Sequence, residues 1–489
     1  MKTASFFLFL LFIIFQSCKQ QEKIFIQPNP IITENQHEGT DEWLITGVEK
    51  EICEFPEHHF CRREEIEGYC SHQSIISGDT LTLFVSTNPV SEFTVDIYRM
   101  GYYKGKGGRK MISSGKLQGI IQKDPDPDPE TNLFECDWVP SYSILIPEDW
   151  ISGIYVGKLI ALKDSSQAYV IFILRDNRKT DFLFQCSDMT WQAYNRWPYW
   201  HSIYDAGNTP WNSSNEAVVS FNRPYSLYVN LLPSDFNPMS NGAGEFFLWE
   251  FPLYYWMEKE GYDVSYISNI DVHLDRAGFE RASAFISVGH DEYWTGDMLE
   301  NVTRARDNGL NLLFLSGNSV CYDMQISPSA DGTPAKILGK RQLFENEKNL
   351  LGATSYGVGY SDFVCKMPDH WLFEGTGMKR NDTIPDLIGW EYHGVPLKND
   401  PTLVVLASSD TFNNSCCHSE IMQDYTVTLY QTPKNNFVFN AATCWWSMPL
   451  SSPPGFQNPM NESLMIDFSK DDKIVQQMTR NLFKKVIEK

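Results

Sequence analysis

The chain is short of the patterns that mark many small catalytic and binding modules. None of its 11 cysteines forms a C-x-x-C pair, the spacing of zinc knuckles and redox pairs. No G-x-x-x-x-G-K-S/T run is present, so the usual backbone cradle for nucleotide phosphates is missing. Nor does any segment repeat at a solenoid period. Basic residues are outnumbered, 40 Lys and Arg against 62 Asp and Glu, for a net charge of −22. Such a balance repels phosphate backbones and anionic headgroups over a Debye length or more, which argues against nucleic acid as a partner. The apolar run from Ala4 to Phe15 is too short to span a bilayer as a mature helix.

What is abundant is aromatic surface and length. Aromatic residues make up 14% of the chain, with 14 Trp and 23 Tyr, which favours aromatic-rich pockets. At 489 residues there is enough chain for two or three cores at roughly 150 residues per domain. The N-terminus, MKTASFFLFLLFIIFQSCKQQ, has the order of an export signal: a Lys, an apolar run and a small residue before Cys18. FQSC resembles a bacterial lipobox. The expectation is a signal peptide over residues 1–17, lipidation at Cys18, and an exported lipoprotein, periplasmic or at the cell surface, that meets the membrane only through its anchor. In an oxidising compartment, disulfides or buried thiols outweigh zinc at Cys53, Cys61 and Cys70, despite the nearby His58, His59 and His72.

Residues 18–65 read as a tether and lead-in. From 66 to 178 the pattern becomes short alternating runs between turn residues: TLTLFVST, FTVDIYRM, SYSILIPE, GIYVGKLIAL and AYVIFILR predict five strands of an antiparallel β-sandwich. KDPDPDPE, 123–130, reads as an acidic hairpin tip. Residues 179–489 alternate strand and helix. TDFLFQCSD, YDVSYIS, RASAFISVGHDEYW and LNLLFLSGNSV predict strands, whereas FFLWEFPLYYWMEKEG and TGDMLENVTRARDNG predict helices ending at Gly261 and Gly309, and DDKIVQQMTRNLFKKVIEK a final amphipathic helix. The expected fold class is therefore α/β plus all-β, with a mostly parallel sheet covered on both faces in the second part.

In open α/β sheets, sites gather at the carboxyl ends of the strands. Three predicted strands run into polar clusters there: one into Asp188, Thr190, Trp191 and Tyr194, one into His290, Asp291 and Glu292, and one into Asn318. On extended chain His290 and Glu292 share a face, leaving Asp291 pointing away in a structural role.

GHDEYW, SDMTWQAYN, DIYRMGYYKGKGGR, GYDVSYISNIDVH and DHWLFEGTGM…IPDLIGWE together resemble signature segments of the N,N-dimethylformamidase large (β) subunit family, over about residues 66–450. The resemblance implies an amide hydrolase with a mononuclear iron, held by two tyrosines and a glutamate in an α/β domain related to class I amidotransferases. It implies Glu292 and Tyr194 as ligands, with Tyr225 as the second tyrosine and Tyr228 its competitor. Asn318 matches a substrate-orienting asparagine, and Glu391 a glutamate acting as acid and base. His290 would orient Glu292 from behind. Two phenolates and a carboxylate are hard anionic donors that balance a ferric charge. A tyrosine with a pKa of about 10 ionises at neutral pH only beside a strong Lewis acid.

The chain departs from the family in its export signal, and nothing in it resembles the small companion subunit of the founding enzyme. The expected substrate is a formamide or another small amide, N-substituted or not, or an amide in an envelope or polysaccharide component; homo-oligomerisation is left open. Three other readings compete. One is a non-catalytic exported carbohydrate- or ligand-binding protein that uses the aromatic segment around Trp197 and Trp200. Another is a zinc hydrolase built on His290, Glu292 and His273. The third is a cysteine nucleophile at Cys186 or Cys321, neither of which has the G-x-C-x-G setting of an elbow.

Overall fold

A computed structural model gives the fold. It describes residues 29–46, 62, 64–199, 201–205, 217–226, 241–397, 400–411, 424–456 and 472–488. Residues 1–17, Cys18, Cys53, His58, His59, Cys61, Trp200 and Tyr228 lie outside these.

The first part of the chain forms two facing sheets. Glu67–Cys70, Thr80–Ser86 and Tyr142–Leu145 make a three-stranded antiparallel sheet. A six-stranded sheet contains Glu92–Met100, Gly153–Ala161 and Gln167–Leu174, antiparallel except where Ser74–Ile75 joins its edge. Leu81, Leu83 and Val85 from one sheet and Phe93, Val95, Ile97, Leu159 and Val170 from the other share a core, as period-2 alternation requires. All five predicted strands are present. The KDPDPDPE stretch is not a hairpin tip: Leu117–Gln118 before it and Tyr142–Leu145 after it belong to different sheets.

The six-stranded sheet is buried on its second face too, where Tyr98, Met100, Ile154, Val156 and Tyr169 join a core with Phe247, Phe251 and Tyr254. Burial on both sides explains why YVIFIL is an unbroken apolar run. The two parts are also tied by Arg99, fully buried, whose guanidinium donates to Glu258 at 2.7 and 3.0 Å. Part of the segment read as a tether is packed down as well: Ile31 and Trp43 are fully buried, and the Trp43 indole stacks on Phe247.

A seven-stranded sheet organises the rest. Its order is Val264–Ser268, Thr180–Cys186, Ala282–His290, Asn311–Gly317, Phe437–Asn440, Tyr425–Gln431, Val404–Ser409. The first five strands are parallel; Tyr425–Gln431 runs antiparallel to both its neighbours, so Val404–Ser409 again points the way of the first five. Successive residues feed opposite cores: Phe182, Phe184, Ile286, Val288, Leu313 and Leu315 one way, Leu183, Phe285, Leu312 and Phe314 the other. Helices Phe251–Glu260 and Lys473–Ile487 cover the first face, and Gly296–Asp307 the second. Thr295 caps Gly296–Asp307 by accepting from the Met298 N–H, and Asp472 caps the last helix at Ile474 and Val475. The segment FFLWE, expected to open a helix, is a π-turn over Phe246–Glu250, and the α-helix begins only at Phe251. Among the described residues no helix is long and apolar enough to cross a membrane.

Candidate active site

Three parallel strands end side by side, and their C-terminal ends carry the ionisable residues. Thr180–Cys186 turns into the buried helix Asp188–Tyr194. Ala282–His290 reaches Gly289 at φ +65°, where an added Cβ would lie 2.5 Å from the Trp249 Cβ; only glycine lets the π-turn come this close to His290. Asn311–Gly317 delivers Asn318 at φ +46°. A Cβ on Gly317 would meet the Glu391 carbonyl at 2.2 Å, so this glycine admits the strand Glu391–Pro396, which carries Glu391 in from outside the sheet.

The side chains converge. Tyr194 donates its hydroxyl to Glu292 Oε2 at 2.7 Å. His290 Nε2 stands 3.3 Å from Glu292 Oε2 and 2.8 Å from Glu391 Oε2. Asn318 Nδ2 donates to that same Glu391 oxygen at 3.0 Å, while its Oδ1 is buried without a hydrogen-bond partner. His290, Glu292 and Glu391 each offer a ligand atom within 4.8 Å of the others. Although these contacts are short, neither His290 ring nitrogen has an aligned hydrogen bond.

Electrostatics follow from burial and this crowding. Burial alone would lower the His290 pKa, but Glu391 and Glu292 outweigh it and hold the imidazole well above its usual value, so it is an imidazolium at neutral pH. Glu292 is pushed up by burial first and by Glu391 second. Burial and the Glu292 charge drive the Tyr194 phenol well above the normal tyrosine range. In this setting Tyr194 is a neutral donor, and ionising it would take a strong cation.

Sequence-nominated residues fall into two groups. Tyr194, His290, Glu292, Asn318 and Glu391 are brought together. Glu391, which by local sequence could have been an exposed turn, is buried in a strand with Tyr392 and His393. Tyr225 is placed elsewhere: its ring meets Trp191 and lines a cavity of about 20 Å³ with Asp188 and Arg223. Burial and Asp188 raise the pKa of its hydroxyl. Two other phenols lie beside Tyr194: that of Tyr204, 3.4 Å away hydroxyl to hydroxyl, and that of Tyr293, its ring 5.9 Å away between centroids. Arg341 stacks on the Tyr204 ring at 4.2 Å. Sequence reading missed this pair because Tyr204 sits in a Trp- and Tyr-rich stretch where no spacing singles it out.

Asp291 does face away: it accepts from Gln185, Ser287 and Asn269 at 2.7, 2.8 and 3.1 Å. His273 is remote from the cluster, with Nδ1 3.0 Å from the Thr295 hydroxyl, so the zinc trio is not assembled. Burial pushes the Cys186 and Cys321 thiols up, the wrong direction for nucleophiles. Cys70 is a buried free thiol.

The donor set suits a hard cation. It offers two carboxylates and a phenol, all buried, with an unpartnered amide oxygen nearby and the His290 ring beside them. Of the two-tyrosine, one-glutamate set implied by resemblance, Tyr194 and Glu292 are adjacent, whereas Tyr225 lies against Trp191 and Arg223.

Fold and site together define an α/β protein with a buried carboxylate, imidazole and phenol centre at the C-terminal edge of a mostly parallel sheet. The family model described as N,N-dimethylformamidase beta subunit-like, C-terminal, matches residues 94–461, and the chain belongs to that family. The activity this family suggests is hydrolysis of amides, and its name is that of one subunit of an amidase. The match begins within Glu92–Met100 and so includes most of the six-stranded sheet. No curated protein matches the chain.

Proposed function

We propose that this protein is an iron-dependent amidohydrolase that cleaves a small amide, N-substituted or not. The observation that carries the reading is the convergence of Tyr194, His290, Glu292, Asn318 and Glu391 on one buried point in a member of this family. Glu292 and Tyr194 would hold the metal, with Tyr204 as the second phenol. A ferric ion bound there would supply a Lewis acid that polarises the amide carbonyl and acidifies water.

The chain's own residues supply the rest. Asn318 Oδ1, left unpartnered, accepts the amide N–H and orients the substrate, while its Nδ2 keeps Glu391 in place. Glu391 takes the proton of the attacking water and returns it to the leaving nitrogen, as general base and then general acid. His290 Nε2, 2.8 Å from Glu391, steadies its carboxylate between the two transfers. Trp249 and Trp390, stacked 5.7 Å apart, flank the imidazole and keep bulk water out.

On sequence alone we extend the proposal to an exported protein lipidated at Cys18. The function is tested by elemental analysis and a visible spectrum of the purified protein beside Glu292→Ala and Tyr194→Phe. About one iron per chain is expected, with a phenolate-to-iron absorption band that both changes diminish, followed by turnover of small amides. A protein that takes up no metal after anaerobic iron loading would sink the mechanism.

A further inference from the structure

One buried acid near the site has no part in the chemistry above. Glu245 is 1% exposed, and neither of its carboxylate oxygens has a hydrogen-bond partner. Burying a carboxyl with nothing to satisfy it costs several kcal/mol by any measure, so such a group calls for an explanation. Its surroundings offer one. Glu245 Oε2 lies 3.9 Å from His290 Nδ1, the ring nitrogen that faces away from Glu292 and Glu391. That nitrogen is also buried and unpartnered, as is the Trp249 indole N–H. One acceptor and two donors thus lie together with no aligned hydrogen bond between them, the Trp249 indole N–H being close enough to favour the ionised Glu245 carboxylate.

The backbone explains how they meet. Glu245 precedes the π-turn Phe246–Glu250, and its carbonyl accepts from the Leu248 and Trp249 N–H groups at 2.9 and 3.1 Å. The wider turn puts the Glu245 and Trp249 side chains together, and Gly289 lets them approach the strand end. π-turns of this kind recur at functional sites. The His290 ring is held edge-on by Trp249 and Trp390, at 6.1 and 4.9 Å between centroids. These near-perpendicular ring contacts supply no hydrogen bond to Nδ1.

We propose that Glu245 is the positioning residue of His290: its carboxyl accepts the Nδ1–H, together with the Trp249 indole N–H, and so aims Nε2 at Glu391 and Glu292. A shift of about 1 Å closes the gap to hydrogen-bond length. The carboxyl pKa, raised by burial to about 8, is compatible with this role, because a neutral carboxyl still accepts through its carbonyl oxygen. Backing of an active-site imidazole by a carboxyl is a common way to fix which nitrogen faces the chemistry. The role rests on the proposed hydrolase reading only for its kinetic consequence.

The test compares Glu245→Gln, which can still accept the Nδ1–H, with Glu245→Leu, which cannot, in the full chain. Proton NMR of the ¹⁵N-histidine-labelled protein, chelated to remove paramagnetic ions, reads the bond directly. The wild type and Glu245→Gln are expected to show a downfield, slowly exchanging Nδ1 proton on His290, which Glu245→Leu lacks. In amide turnover, Glu245→Leu is expected to lose about 10–100-fold in kcat with little change in KM, and Glu245→Gln to recover most of it. Absence of the proton signal in the wild type would overturn the proposal. So would its persistence in Glu245→Leu with an unchanged near-ultraviolet dichroism spectrum. The NMR result stands even if no amide is turned over, so failure of this inference is distinguishable from failure of the amidase reading.

Discussion

Replacing Glu292 by Gln separates a metal site from a mere cluster of buried charge. At an effective dielectric of about 20, the His290 imidazolium at 3.3 Å attracts Glu292 by roughly 5 kcal/mol. Glu391, with its ligand oxygen no more than 4.8 Å away, repels Glu292 by about 3.5 kcal/mol or more. The two nearly cancel. Neutralising Glu292 in metal-free protein should therefore cost only about 1.5 kcal/mol or less, since Gln keeps an oxygen to accept from Tyr194. Iron bound as proposed would change the balance: saturation at about 1,000 times Kd would stabilise the wild type by about 4 kcal/mol. With about 2.1 cal/mol/K of unfolding entropy per residue over roughly 400 ordered residues, that is a rise of about 5 °C in Tm. Glu292→Gln should melt within about 2 °C of the metal-free wild type and show no rise with iron. Differential scanning calorimetry with and without ferric ion reads both numbers. A variant that iron still stabilises by the wild-type amount, or a metal-free variant that loses 5 °C, would refute the reasoning.

Further predictions follow from the same structure. Tyr204→Phe should weaken the phenolate-to-iron band while Tyr225→Phe leaves it intact; the opposite result in a visible titration with iron would return the second ligand to Tyr225. Glu258→Gln strands the fully buried Arg99 and should cost about 3–5 kcal/mol by denaturant titration; a loss under 1 kcal/mol would show that the pair is not what ties the six-stranded sheet to the helix Phe251–Glu260. His393, fully buried, accepts from the Ser319 N–H and faces Asn440, and burial lowers its pKa to about 4. Its unfolded form binds a proton at about 6.5, so stability present above that pH is lost as pH falls toward 4, by about 3 kcal/mol; His393→Asn should flatten that slope in melts across the range. Cys18→Ala should abolish incorporation of labelled fatty acid, and incorporation that persists would dismiss the lipobox.

Much of this protein was determined by local sequence. Period-2 alternation in TLTLFVST and unbroken apolar runs in FLFQ and LLFLSG specify strands buried on one face or on both, because side chains alternate sides at every residue. Thr295 and Asp472 set helix starts through orphan N–H groups that need an acceptor nearby in sequence. His290 and Glu292 on one face of a strand end, with Asp291 opposite, follow from the same alternation. Only the tertiary structure decided what those residues meet. Tyr194 and Glu292 are 98 residues apart, and Asn318 and Glu391 are 73; their contacts depend on strand order and on two glycines that permit close approach. The placing of the Tyr204 hydroxyl beside that of Tyr194, and the burial of Glu245 behind His290, left no mark in spacing or composition. Loops and a π-turn place both residues, and a site closed by such segments is specified by packing against the sheet edge rather than by any local periodicity.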